Sequence, residues 1–230
     1  MSCNFTMAIA YQRARSPEQK AERTEQILSA AEAMLAEGQD SSALSLNVLA
    51  KRAGMAKSNI YRYFESREAV LLALLEDRTA RWGEDVVAQL EALPPSGDDR
   101  GRLETVAELL ATSAACRPVM CHLMSVLPSV LEHNVSVESV REYKRASLDL
   151  IGRLAEAMHH AVPELTNGQH GELLHHAFAF IVGSWPLAHP SEVTREAMTD
   201  PDLLPFVHDF EPELRRVLVL LATGMLATPR

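Results

Sequence analysis

The side chains best suited to hydrogen-bond a polar partner are crowded into one short stretch, LAKRAGMAKSNIYRYFESREAVL, at residues 49–71. They follow Gly54, which suits a sharp turn that needs a residue tolerant of positive φ. Lysine and arginine donate to phosphates, and asparagine and arginine pair with base edges. The residue types predict binding to a nucleic-acid duplex through Lys57, Ser58, Asn59, Tyr61, Arg62 and Tyr63, with Arg67 further on.

The charge distribution favours the same end of the chain. The 230 residues have a net charge of −9, yet residues 1–67 hold nine Lys and Arg against seven Asp and Glu. The rest of the chain holds thirteen against twenty-four. We therefore expect a polyanion to meet the first third of the chain, with Lys57, Arg67, Arg13 and Arg15 facing phosphates.

Two short helices would position these donors. Ser45 is placed to cap a helix over LNVLAKR, and Gly54 breaks the chain before a helix that carries Ile60 and Phe64 inward. A helix, a tight turn with glycine and a second helix is the geometry that places the second helix in the DNA major groove. A long helix over 66–93, capped by Ser66, follows.

The remaining pattern predicts an all-α protein. The first helix starts at Ser16 and ends at Gly38, and the polar stretch 93–99 is the clearest break. Periodicity near 3.6 residues predicts further helices at about 101–114, 117–132, 136–161, 168–187 and 209–227. The stretch 188–208, with three prolines, is predicted to be a loop with at most one helical turn.

The stretch IlsAAeaMLAEG and the block LAkRAGmakSNIYRYFeSREAVL resemble the DNA-binding domain of the TetR (tetracycline-repressor) family of bacterial transcriptional regulators. The resemblance implies a DNA-binding domain at 16–66, with its motif at about 45–64, and a helical effector-binding and dimerisation body at 67–230. Residues 1–15 would be a disordered basic lead-in. The residues that match the family's DNA contacts are Ser45, Lys57 to Asn59, Tyr61 to Tyr63 and Arg67. Ala56 departs from the family, which usually has a capping serine or threonine there.

The body would pair subunits and enclose a small-molecule effector. Residues 168–187 and 209–227 are predicted to form the homodimer interface, although periodicity describes an ordinary core helix equally well. Bulky side chains with polar handles predict a pocket for a hydrophobic or amphipathic ligand, and a solid core without a ligand is the alternative. The pocket candidates are Trp82, His122, Met124, Tyr143, Phe178 and Trp185.

A metal-binding helical bundle is the rival function. Glu156 with His159 and Glu172 with His175 both have the E-x-x-H spacing of di-iron carboxylate bundles. Helical projection places Glu172 and His175 far from their apolar stripe, whereas such ligands must project into the core. No histidine pair has zinc spacing on one helix, and no catalytic motif is found. We expect a regulator with no metal or cofactor, not an enzyme.

Composition favours the cytoplasm, and the TetR resemblance implies a bacterial one. No run of about 18 uncharged apolar residues exists, so no membrane span is expected. The three cysteines are odd in number and lack framework spacing, which favours a reducing compartment. The expected partner is an operator duplex with an inverted repeat, because a two-fold dimer reads two half-sites.

Overall fold

The computed structural model describes residues 17–94 and 98–228, all of whose regular structure is helical. The all-α prediction is confirmed. The predicted lead-in at 1–15, with Arg13 and Arg15, and the predicted cap Ser16 lie outside the described residues.

Three helices form the N-terminal head. They are α1 (Pro17–Ala36), α2 (Leu46–Arg52) and α3 (Lys57–Ile60), with a single 3₁₀ turn at Ser41–Ala43. Ile27, Leu49 and Ile60 are fully buried where these helices meet. The ion pair between Arg52 and Glu37 also joins the end of α2 to the end of α1.

A long helix, α4 (Arg67–Glu91), connects the head to the body and belongs to the core of both. Ser66 caps it as predicted, because the Ser66 hydroxyl accepts a hydrogen bond from Ala69 N at 3.0 Å. Its closest crossing is with α7 (Val137–Ala161), where Gly83 faces Leu150. A Cβ at position 83 would lie 2.1 Å from Leu150 Cδ1, so glycine sets how closely the two helices approach.

The body also contains α5 (Asp99–Ala115), α6 (Pro118–Val126), α8 (Asn167–Ala188), α9 (Glu192–Ala197) and α10 (Phe210–Ala227). These bounds agree closely with the predicted helices in all but two places. The predicted helix at 117–132 continues beyond α6 as a π-helical turn, Leu127–Leu131. Pro128 explains the change, because it lacks an N–H and cannot continue the α-helical ladder. The stretch 188–208 holds both α9 and a 3₁₀ helix at Pro201–Phe206, more than the one turn predicted.

Hydrogen bonds join the head to the body beside the start of α4. The Ser66 hydroxyl donates to the carbonyl of Asn134 at 2.6 Å, and the Ser136 N–H donates to the Glu65 carboxylate at 2.8 Å. The loop between the π-helical turn and α7 is therefore hydrogen-bonded to the residues that link α3 to α4. The predicted domain boundary at 66/67 falls inside this contact and stays a prediction.

Candidate nucleic-acid interface

The turn between α2 and α3 is fixed by backbone hydrogen bonds. Ser45 begins α2 by accepting from Val48 N at 3.3 Å. At the other end, Met55 N donates to Ala50 O at 2.8 Å and Gly54 N donates to Lys51 O at 3.2 Å, which is a Schellman ending. Gly54 has a φ of +65°, as its predicted role requires. The direction in which α3 leaves the turn is thus set by the backbone.

One side of α3 seals the helix pair. Ile60 is fully buried and belongs to the same core cluster as Leu49 and Ala50, and Phe64 packs against that cluster. The α-helix itself has only four residues, and Arg62 N and Phe64 N continue its turns by donating to Asn59 O and Ile60 O. Ala56 occupies the N-cap position with an extended backbone and no side-chain hydrogen bond. The start of α3 is therefore uncapped.

The other side of α3 carries the predicted contact residues. Lys57, Ser58 and Arg62 are exposed, and Tyr61 keeps 52% of its surface exposed. Asn59 and Tyr63 are half-buried at the edges of this side. Lys57 and Arg62 have no ion-pair partner within residues 17–94 and 98–228. Two unneutralised cations, an aromatic ring and polar donors thus share one accessible surface.

Arg67 has a different environment from the other predicted contacts. Its Nη1 donates to the carbonyl of Ser42 at 2.6 Å, and its Nε donates to the Glu68 carboxylate at 3.0 Å. Glu68 is almost fully buried. The guanidinium therefore ties α4 to the turn that precedes α2, and its predicted phosphate contact stays a prediction.

The start of α2 contains exposed residues that the sequence reasoning did not select. Asn47 is exposed and Val48 keeps 41% of its surface exposed, both directly after Ser45. Their position in the first turn after a capping serine was the available signal. An exposed apolar side chain next to a set of donors is the kind of group that contacts thymine methyl groups in other complexes.

The six predicted pocket residues are spread over four helices of the body. Trp82 Nε1 donates to the Ser113 hydroxyl at 3.0 Å, and Trp185 lies between His189 and Phe210, with ring centroids 3.8 and 4.9 Å away. Burial raises the pKa of Tyr143 to about 12. For His122, burial lowers the pKa while nearby Asp40 acts against the shift. Met124 is buried, and Phe178 packs against the core.

Three cavities in the body were compared with these residues, and none of the six lines any of them. A groove of about 1020 Å³ lies between α4, α5 and α10 and includes Ser113, the partner of Trp82. A second groove of about 350 Å³ lies between α8 and α10. An enclosed apolar space of about 10 Å³ lies among α5, α7, α8 and α10, which is room for about one water molecule.

Fully buried His170 lines that enclosed space. Its Nε2 lies 3.0 Å from Val162 O, a contact that assigns the proton to this nitrogen. Burial lowers the pKa of the ring and so favours its neutral form, in which Nδ1 is an acceptor. Nδ1 has no partner among the described residues.

The di-iron alternative gains no support. Glu156 and His175 are exposed, and His159 Nδ1 contacts Leu165 O at 2.7 Å. Within residues 17–94 and 98–228 no three His, Cys, Asp or Glu side chains are grouped as a metal site requires.

In the same part of the chain, no single helix is long and apolar enough to span a membrane. One pair of helical segments, α5 and Pro118–Leu131, is long and apolar enough when taken together, but the two are bent by 87° relative to each other.

Comparison with known proteins covers both parts of the chain. Residues 27–74 match the model for bacterial regulatory proteins of the tetR family, and residues 77–229 match the tetracyclin repressor-like C-terminal domain. An uncharacterized HTH-type transcriptional regulator of Mycobacterium tuberculosis is 36% identical over 77 residues. That alignment spans 34% of this chain and 36% of the relative, so only about a third of the relative's length is matched.

Solved structures share the fold. The fatty acid degradation regulator FadR from Bacillus halodurans aligns with a TM-score of 0.54 at 17% identity, over 91% of this chain and 96% of that one. A TetR regulator from Rhodococcus aligns with a TM-score of 0.51 at 21% identity, over 90% and 99%. Because the C-terminal model alone spans most of the chain and the tetR model covers the helix-turn-helix, the chain belongs to the TetR family of transcriptional regulators.

Proposed function

We propose that this protein is a homodimeric repressor that binds an inverted-repeat operator and is released from it by a small hydrophobic or amphipathic molecule. The observation that carries the proposal is the exposed side of α3. There Lys57 and Arg62 lack any intramolecular counter-charge within the described residues, while a Schellman ending fixes the helix that presents them. Unpaired cations beside exposed aromatic and amide groups suit a duplex with both phosphates and base edges.

The position of each side chain on α3, and in the turn that follows it, indicates whether it contacts a base or a phosphate. Arg62 and Asn59 are placed to read base edges, because bidentate guanidinium and amide groups match guanine and adenine. Lys57, at the start of α3, is placed for phosphate contact. Two heads related by a two-fold axis would read half-sites about 10 bp apart, or a multiple of that spacing.

Selection from random duplexes by the full-length protein tests the proposal. We expect an enriched palindrome whose binding weakens steeply with salt, because each phosphate contact releases counterions. Absence of any enriched inverted repeat at low salt would refute operator binding.

Substitutions test the assignment of readers and anchors. Arg62→Ala and Asn59→Ala should each cost about 1–3 kcal/mol on the selected operator and relax the preference at one base position. Lys57→Ala should weaken all duplexes alike and reduce the salt slope by about 1. Arg153→Ala is the matched control, since Arg153 is an exposed arginine on α7 without an ion pair among the described residues. If all three head variants lose affinity uniformly, the reader role is wrong.

The effector part of the proposal is supported by the groove of about 1020 Å³ between α4, α5 and α10. Its lining combines apolar Leu93 and Leu109 with polar Thr105 and Ser113, which suits an amphipathic molecule. The groove also has four charged side chains, Glu104, Glu108, Arg117 and Arg215. Trp82 does not line the groove, but its ring N–H donates a hydrogen bond to Ser113, which does. A hundredfold loss of operator affinity needs about 2.7 kcal/mol of differential binding. Burial of about 110 Å² of apolar surface supplies that amount.

A small-molecule screen by tryptophan fluorescence, followed by operator-release assays, tests this part. Thr105→Phe narrows the groove and should abolish release while leaving operator binding intact. Trp82→Leu should weaken the response through loss of the support behind Ser113. An inducer that still acts fully on both variants would place its site elsewhere.

A further inference from the structure

The segment between α8 and α10, residues 189–209, is mostly exposed on its own subunit, apart from His189, which stacks on Trp185. We name it the arm. It contains α9 and the 3₁₀ helix Pro201–Phe206, and neither has a buried residue. Both are nevertheless capped, α9 by Ser191 through Thr194 N and the 3₁₀ helix by Asp200 through Asp202 N. Local hydrogen bonds therefore define the shape of the arm, while its side chains face outward.

The arm and its two flanking helices expose large apolar side chains. Of the eleven such residues in the described chain, seven lie here, with exposed fractions of 37–78%. They are Leu187, Val193, Leu203, Leu204, Phe206, Val207 and Leu220. Together they expose on the order of several hundred Å², as much as the largest patch on a typical monomer. Such a surface costs free energy in water, so a partner that covers it is favoured.

The outward faces of α8 and α10 are shaped to receive a neighbour. Ala179, Gly183 and Gly224 are exposed, and a Cβ at either glycine would meet nothing within 4 Å. Packing within the subunit therefore does not require glycine at these two positions. Small residues allow another backbone to approach closely, and the groove of about 350 Å³ between these helices adds a depression on the same faces.

The arm is acidic, since it holds five carboxylates and one arginine. On the faces of α8 and α10, His176 lies against Glu172 and Arg215 pairs with Glu108. Arg216 on α10 is exposed and has no ion-pair partner in the described residues. It is therefore the cation that a two-fold axis would bring beside the acidic arm of a second copy.

We propose that the arm of one subunit packs across the outward faces of α8 and α10 of a second copy of this chain, and that the second arm does the same in return. The inference rests on the proposed homodimer and extends its interface from two helices to two helices and an arm. A standard interface buries about 800 Å² per partner, and the exposed side chains of the arm supply a substantial part of that area.

Sedimentation equilibrium on the full-length protein tests this contact. Leu204→Asp with Phe206→Asp should raise the dimer dissociation constant at least about 100-fold, because charge would enter a buried interface. Both side chains are more than half exposed within the subunit, so helicity should not change. Leu148→Asp is the matched control, because Leu148 on α7 is 69% exposed and lies outside the arm. It should leave the dissociation constant within about twofold of the wild-type value.

A third variant separates failure of the arm from failure of the dimer. Leu220→Asp on α10 should weaken dimerisation as well. A wild-type protein that is monomeric at every concentration would overturn both the homodimer and the arm contact. A dimer disrupted by Leu220→Asp but not by the arm variant would overturn the arm contact alone. A dimer that neither variant weakens would overturn the arm contact and place the interface elsewhere.

Hydrogen exchange gives an independent measurement. The amides of Leu203, Leu204, Phe206 and Val207 should exchange more slowly above the dimer dissociation constant than below it, because a partner would cover them. Equal exchange at the two concentrations would contradict the proposed contact even if the arm variant were less stable.

Discussion

Removal of the Arg67 guanidinium should destabilise the head even when no DNA is present. The guanidinium compensates the Glu68 carboxylate, whose side chain is only 7% exposed, and also holds the carbonyl of Ser42. Arg67→Met keeps the apolar stem and removes the charge. The variant therefore leaves a buried carboxylate without its cation and releases the turn that precedes α2.

The expected loss is about 2–3 kcal/mol. Removing one partner of a buried ion pair costs about 3–5 kcal/mol, and Arg67 is a quarter exposed, so solvent screening reduces the figure. At about 2–4 °C per kcal/mol for a chain of this size, the melting temperature should fall by about 5–10 °C. Thermal unfolding followed by circular dichroism measures this. Arg153→Met removes an exposed guanidinium that has no ion pair among the described residues, and it should change the melting temperature by less than about 2 °C.

The loss should depend on pH in a defined direction. Burial acts to raise the pKa of Glu68, but hydrogen bonds from Arg67, its own backbone N–H and the Asn134 side chain outweigh it and hold the pKa below its usual value of 4.5. A lowered pKa in the folded state stabilises the protein above pH 4.5, and this contribution is lost as the pH falls through the folded value. The difference in free energy of unfolding between the variant and the wild type should therefore shrink toward pH 4. A stability difference that is absent at pH 7, or that stays constant from pH 7 to pH 4, would refute this role of Arg67.

The same variant distinguishes a structural role from a phosphate contact. If Arg67 remains on Glu68 and Ser42 in the complex, its loss lowers affinity without changing the slope of log affinity against log salt. A slope smaller by about 1 would show that the guanidinium leaves Glu68 to meet a phosphate, as the family resemblance implies.

Three further substitutions address the turn and the groove. Ala56→Ser should add the missing cap of α3 and raise the melting temperature by about 2–4 °C. A clear decrease would show that α3 does not begin there. Gly54→Ala should cost about 1–2 kcal/mol in urea unfolding because of its positive φ, whereas Gly152→Ala on the exposed side of α7 should stabilise by up to about 1 kcal/mol. Equal effects would refute the assigned conformation. Trp82→Phe should cost about 1 kcal/mol through the lost hydrogen bond to Ser113, and an unchanged urea midpoint would contradict that bond.

The sequence predicted features that depend on local chemistry. Gly54, Ser45 and Ser66 act on backbone groups within a few residues, so their roles in the turn and at helix starts could be inferred without the fold. Helix ends in the body were also close to those predicted, apart from the π-helical turn at Pro128. The proline was visible, but the choice between ending a helix and widening it by one turn depends on the packing around it.

Features that depend on helix crossings could not be predicted. The partners of Arg67 are its neighbour Glu68 and a carbonyl 25 positions away, and only the folded head brings the latter near. Trp82 and Trp185 are both bulky, yet one hydrogen-bonds Ser113 and the other stacks on His189. Periodicity identifies which face of a helix is apolar but not which helix it will meet. The six pocket candidates, none of which lines the three cavities described above, therefore stay a prediction.

The close crossing of α4 and α7 at Gly83 has a mechanical consequence. From this crossing, the head end of α4 at Arg67 is about 24 Å away and the opposite end at Glu91 is about 12 Å away, at 1.5 Å per residue. If α4 tilts about Gly83, a displacement of about 1 Å near the groove becomes about 2 Å at the head. Opposite movements in the two subunits would change the separation of the heads by about 4 Å, slightly more than the 3.4 Å rise of one base pair. A dimer with this two-to-one gain could lose register with its operator after a movement no larger than a side-chain adjustment.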